Sequence, residues 1–268
     1  MTKRYINKMV SVLLVFAVML TLLSVLPQAV QVSALSERDT MVRDYVAGGE
    51  RAELFNDNWK FFFERTSSAT AALTVNANPP GFDDSGWDDV ELPHDFQIHR
   101  LGAVSTENNS SAMYANGAGW YRKTFYMMPE SQGQIVTLRF DGAYQDVNVW
   151  INGTLMTTNP LDTTRTWAYG YSVFYLDITQ YLNYGNTPNV IAVRCRSQVA
   201  NSRWYSGGGL YRNVWMIQTD PVHVVNDGTY ISTNGAGGQI TMDTEVINKS
   251  SERYPMCCSC RKCSTLMA

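Results

Sequence analysis

The segment Leu92-Pro93-His94-Asp95-Phe96-Gln97-Ile98-His99 sets two of the chain's three histidines beside a carboxylate. These residue types serve acid–base, metal and nucleophilic chemistry. On an extended segment neighbouring side chains point to opposite faces, so His94 and Asp95 do not converge. A metal held by His94 and His99 has no third ligand nominated by the sequence, and no serine sits in a nucleophile-elbow context. His94 and Asp95 are therefore expected to hold structure through hydrogen bonds. The acid doublets Asp83-Asp84 and Asp88-Asp89 border the turn-rich stretch Gly81 to Trp87 and read as solvated turn residues. The run Arg203-Trp204-Tyr205-Ser206-Gly207-Gly208-Gly209-Leu210-Tyr211-Arg212 carries three consecutive glycines. It is no phosphate cradle, because a strand pattern follows it instead of a helix and the Lys-Ser/Thr pair is missing. Glycine here is expected to allow positive φ and a close backbone approach, with Arg212 anchoring the loop. Trp204 and Tyr205 could stack on a sugar ring or fill a core. Cys257, Cys258, Cys260 and Cys263 crowd the chain end while Cys195 stands alone, so no disulfide framework spans the fold. The Cys260-x-x-Cys263 pair has no second ligand pair at zinc spacing.

Period-2 alternation supplies the elements that must position these residues. Ile135 to Phe140 ends at Asp141-Gly142, and Val147 to Ile151 ends at Asn152-Gly153, each a strand closed by a turn dipeptide. Further strands are predicted at Val173 to Ile178, Val190 to Arg196, Val214 to Gln218, His223 to Val225, Thr229 to Ser232 and Gln239 to Val246. Short strands so spaced imply a β-sandwich. No long 3.6-period segment follows residue 34, which excludes a (β/α)₈ barrel or a Rossmann domain. Asp220-Pro221 marks a boundary, after which about three strands fit before Ser250, too few for a complete immunoglobulin-like sandwich.

The chain has 268 residues, 45% of them hydrophobic and 17% charged, which excludes general disorder. Lys3, Arg4 and Lys8 precede the uncharged run Val10 to Leu26, the order of an export signal, and Val32-Ser33-Ala34 offers a small-x-small cleavage site. The other reading is an uncleaved anchor, the one route by which this chain would meet a membrane. With those three cations set aside, the remaining chain is more acidic than the formal −3, so nucleic acid is excluded as a partner. The organisation read from the sequence is a signal peptide at 1–34, a lead-in at 35–53, a sandwich at 54–220, a partial second domain at 221–250 and an aberrant cysteine-rich tail at 251–268.

Six strings carry a family likeness. They are Asn58-Trp59-Lys60-Phe61, Phe82-Asp83-Asp84-Ser85-Gly86-Trp87, Leu92-Pro93-His94-Asp95, Gly119-Trp120-Tyr121-Arg122-Lys123-x-Phe125, Val149-Trp150-Ile151-Asn152-Gly153 and Gly209-Leu210-Tyr211-Arg212-Asn213-Val214-Trp215. In this order they resemble the amino-terminal sugar-binding domain of glycoside hydrolase family 2, and the arrangement is nearest to secreted β-galactosidases of Gram-positive bacteria. The resemblance implies an all-β chain: a galactose-binding-like jelly-roll β-sandwich followed by the start of an immunoglobulin-like β-sandwich. It implies a parent whose separate catalytic barrel supplies both glutamates for hydrolysing a β-linked carbohydrate, a galactoside foremost; this chain's own residues nominate no cofactor and no metal site. This chain alone is then expected to be inactive, and a secreted or cell-surface location follows. The family lends a carboxylate to the terminal sugar nine residues before the loop arginine. That position is Arg203 here, a departure that still leaves a donor for sugar hydroxyls. Asn108 lies on the other loop that reaches the sugar. Two further readings stay open: a free-standing carbohydrate-binding module with Trp204 in its platform, and a structural sandwich that buttresses a partner polypeptide.

Overall fold

In the computed structural model the described residues are 52–66, 72–99, 117–158, 164–197, 206–234 and 239–251, within one compact unit, Met41–Ala268. The signal segment, nearly all of the lead-in and the cysteine-rich tail lie outside them. The architecture is all-β. Among the described residues the only α-helix is the single turn Phe96–His99, and no helix is long and apolar enough to cross a membrane.

Twelve strands run through the described residues: β1 (Ala52–Leu54), β2 (Trp59–Arg65), β3 (Asp88–Val90), β4 (Gly117–Phe125), β5 (Ile135–Phe140), β6 (Asn148–Ile151), β7 (Thr154–Leu155), β8 (Phe174–Asp177), β9 (Asn189–Ser197), β10 (Val214–Thr219), β11 (Val222–Asn234) and β12 (Gln239–Asn248). One antiparallel sheet has the order β1-β10-β5-β8 and the other β3-β2-β4-β9-β6-β7, while β11 and β12 pair as a separate hairpin. Alternation explains the sandwich. Val136, Leu138 and Phe140 of β5 and Val214 and Met216 of β10 face one side, Phe61 and Phe63 of β2, Tyr121 of β4 and Val193 and Cys195 of β9 the other, and all join one buried cluster. Burial of this size, at about 1.5–3 kcal/mol per large side chain, is what offsets chain entropy.

Two expectations are corrected, and one strand that alternation does not predict is added. The central strand β4 lacks alternation because both of its faces are covered, and its pattern is buried almost throughout. Its outer face lies under the strap 72–84, where fully buried Arg122 donates to the carbonyls of Ala77, Pro79 and Pro80 and through Nε to Asp84 Oδ2 at 2.7 Å. The acid doublets are accordingly not plain solvated turns. Asp84 is the ion-pair partner of a buried guanidinium, and Asp88 and Asp89 belong to β3, with Asp89 2.6 Å from Lys60 Nζ. Finally, the two strands predicted at 223–225 and 229–232 are one. Asp227 (φ 57°) and Gly228 form an irregularity in β11 between Val224 and Thr229 instead of a turn. Two long strands, not about three short ones, thus follow Pro221.

The hairpin base is tied to β8 of the sandwich. Tyr175 donates to Asp227 Oδ2 at 2.7 Å, and Lys249 Nζ lies 2.5 Å from Asp177 Oδ2.

Candidate functional site

Three segments meet at one end of the sandwich. The glycine loop after Ser206 lies between the segment 92–97 and the segment 141–147. His94 N–H donates to Leu210 O at 2.8 Å and Phe96 N–H to Gly208 O at 3.1 Å, while Gly209 and Tyr144 exchange two backbone bonds on the loop's other side. Gly207 and Gly209 have φ of +83° and +99°, the region where side chains are strained. A Cβ on Gly209 would run into the Tyr121 hydroxyl and the Phe96 ring, so the close approach is real as well. Arg196 and Gln145 add a reciprocal backbone pair that joins the 141–147 segment to the end of β9.

The side chains around the loop are structural in their chemistry. Buried His94 shares a 2.9 Å hydrogen bond between Nδ1 and the Tyr121 hydroxyl, and its ring packs 4.6 Å from Phe61. Burial raises Tyr121 well above the usual tyrosine pKa, assisted by the neighbouring Cys195, so the phenol stays protonated. Asp95 Oδ1 accepts the Gln97 amide at 3.0 Å, starting the single helical turn. Nearby carboxylates are likewise engaged: Asp141 by Arg139 and the Trp215 indole, Asp146 by Arg165. Among the described residues no group of three or more metal-ligating side chains comes together.

The structure thus brings His94, Asp95 and Gly209 together. Arg212 is exposed, with its guanidinium 5.5 Å from the Tyr211 ring centroid and a long 3.5 Å bond to Asp141 O. Arg203, Trp204, Tyr205 and Asn108 lie outside the described residues. The described ends of the intervals that contain them are nonetheless neighbours. Gly117, where β4 begins after the interval 100–116, pairs with Ser197, where β9 ends before the interval 198–205. Gln97 closes the corner by donating Nε2 to Ser197 Oγ at 2.8 Å. Sequence reasoning missed the aromatic group beside this corner: Trp167, Tyr169 and Tyr171, together with Tyr144. Its signal is aromatic residues at every second position with small Ala168 and Gly170 between them.

Comparison with known proteins decides the family. No protein-family model matches the chain. A β-galactosidase of Bacteroides ovatus is 37% identical over 223 residues, 80% of this chain and 24% of that protein. A solved glycosyl hydrolase family 2 member from Bacteroides cellulosilyticus superposes with a TM-score of 0.62 at 30% identity, over 75% of this chain and 25% of that one. The chain carries the amino-terminal β-sandwich of glycoside hydrolase family 2. A β-glucuronidase of Formosa agariphila is also similar, at 26% identity over 74% of this chain and 21% of its own length. This family 2 chain therefore spans about a quarter of the length of the relatives it matches. Those relatives include both galactosidases and glucuronidases. All six family strings fall on the sandwich or its glycine-loop end: the entry of β2, the turn before β3, the His94 segment, β4, β6 with its turn, and the glycine loop with β10.

Proposed function

We propose that this family 2 sandwich serves an exported glycosidase acting on β-galactosides, as the part that shapes the substrate end while a separate catalytic portion of the parent performs hydrolysis. The observation that carries the reading is the Gly117–Ser197 pairing, which roots the intervals of Asn108 and Arg203 on one rung of the sheet. Side chains from both intervals can then address one ligand, Arg203 through guanidinium donors to sugar hydroxyls and Asn108 through its amide. At that rung Gln97 Nε2 donates to Ser197 Oγ at 2.8 Å, a described polar contact already made before substrate arrives. Export is supported by the order of Lys3, Arg4 and Lys8 before the apolar run Val10 to Leu26. The 37% identity to a β-galactosidase favours galactosides.

The test is a chimera in which residues 52–251 replace the matched portion of the Bacteroides ovatus β-galactosidase. It should hydrolyse an aryl β-galactoside, and Arg203→Ala in it should lower kcat/KM by about 1–3 kcal/mol, the range for one polar contact to substrate. A folded but inactive chimera, or one that cleaves only a β-glucuronide, overturns the galactoside reading. Unchanged kinetics in the Arg203→Ala chimera removes Arg203 from the sugar contact.

A further inference from the structure

Tyr169 and Tyr171 are 68% and 60% exposed, yet neither ring is loose. Tyr171 donates its hydroxyl to Ser206 O at 2.8 Å, and its ring stands 5.2 Å from the Tyr144 ring and edge-on to Tyr211 at 6.1 Å. Tyr169 stands edge-on to Trp167 at 5.7 Å, and that indole stacks on core residue Phe174 at 5.3 Å. The peptide between the two tyrosines is clamped as well, because Tyr211 donates to Gly170 O at 2.9 Å, and a Cβ on Gly170 would strike the Tyr144 ring. Two large rings are thus held in water by four other aromatic side chains and two hydrogen bonds, although burying each would be worth about 1.5–3 kcal/mol. Rings fixed in advance lose little entropy when something lies on them.

The chemistry of the patch selects the occupant. The Tyr171 hydroxyl is engaged by a backbone carbonyl, so this ring offers outward mainly its flat hydrocarbon face. Exposed Arg212 borders the patch over Tyr211 and adds guanidinium donors at its edge. A flat apolar surface beside a fork of donors fits the C–H face and rim hydroxyls of a pyranose. Ser206, which holds Tyr171, directly follows the interval of Arg203 and Trp204, so the patch adjoins the proposed substrate corner.

We propose that Tyr169 and Tyr171 form an aromatic platform for a pyranose ring of a β-linked oligosaccharide, a subsite additional to the residues that grip the terminal sugar. This rests on the carbohydrate reading above. The primary experiment titrates the full chain with β-1,4-galactotetraose while the tyrosine ring resonances are followed. Saturable shifts at Tyr169 and Tyr171 are expected, and Tyr169→Ala should weaken binding by about tenfold while Tyr169→Phe, which keeps the face, stays within about threefold. Tyr169 makes only a ring contact with Trp167 among the described residues, so its replacement leaves the fold intact even if Tyr171→Ala does not. Absence of shifts, or equal binding by Tyr169→Ala, overturns the platform. In the chimera, Tyr169→Ala should raise KM for the tetraose by more than it raises KM for the aryl galactoside. An equal loss on both substrates together with a lowered thermal midpoint overturns the proposal in favour of a polypeptide surface covering the rings. An inactive chimera beside intact tetraose binding rejects the galactosidase reading and leaves the platform standing.

Discussion

Gly209 and Tyr144 are joined as a two-residue bridge, each donating its N–H to the other's carbonyl at 2.9 Å. The bridge requires Gly209 at φ +99° with its missing side chain directed at Tyr121 and Phe96. Gly209→Val should therefore destabilise the chain by about 3 kcal/mol or more, from backbone strain and overpacking together. Gly86, with nothing within 4 Å of its Cβ position, provides the control. Gly86→Ala should stay within about 0.5 kcal/mol. Urea unfolding of the two variants measures the difference, and equal midpoints would show that the bridge is dispensable.

Tyr121→Phe tests the buried partner of the same loop. It leaves the ring in place but removes the hydroxyl that meets His94 Nδ1 at 2.9 Å and His94 O at 3.3 Å. A loss of roughly 1–2 kcal/mol is expected, the cost of a buried polar atom deprived of its bond. Calorimetry of the variant reads it directly.

Much of this fold is legible in the sequence wherever one face is dry and the other wet. β5 announces itself through Val136, Leu138 and Phe140, and β10 does likewise, while β9, buried over its first five residues, is legible instead as the apolar run Val190 to Val193. β4 is illegible by alternation, since the strap held by Arg122 hides its second face, and Gly117 and Gly119 weaken its strand signal further. Asp227-Gly228 carries turn chemistry and yet sits inside β11, because a bulge and a turn ask for the same backbone freedom. At the candidate site, the glycine run points to positive φ by residue type alone. The neighbours that demand it, Tyr121 and Tyr144, come from distant strands and loops and carry no local signal. Arg203 and Asn108 come from likeness to a family, since nothing in their own surroundings singles them out.

Glu64 makes the outer face acid-sensitive. Burial alone would raise its pKa, but the bonds it accepts from the Trp120 indole, the Val75 and Thr74 amides and the Thr74 hydroxyl prevail and hold it below the ordinary 4.5. A carboxyl depressed on folding stabilises the fold above its unfolded pKa, and that contribution disappears as pH falls through the folded value. Thermal midpoints should therefore fall as pH drops below 4.5, and Glu64→Gln should flatten that slope while lowering stability at neutral pH. A Glu64→Gln profile parallel to the parent's would assign the acid response to other groups.

The ties at the hairpin base respond at the opposite end of the pH scale. Burial, and then the bond to Asp227, push Tyr175 up to about 12 from the ordinary 10. Its contribution is complete below pH 10 and is lost as pH rises through about 12. Tyr175→Phe combined with Lys249→Ala should speed amide hydrogen exchange in β11 and β12 and leave β4 and β9 protected, at a cost of under about 2 kcal/mol for one exposed pair and one hydrogen bond. Equal acceleration in β4 would mean that hairpin and sandwich open as one cooperative unit.

Because Gly117 and Ser197 occupy one rung, both intervals that carry the proposed sugar contacts hang from the last pair of an otherwise closed ladder. Insertions or deletions in either leave every core strand in register, and doubling the length of such a segment costs only about 0.6 kcal/mol of closure entropy. The sandwich is in this respect a tolerant chassis, in which the lengths of the two intervals can drift without any change to the core strands.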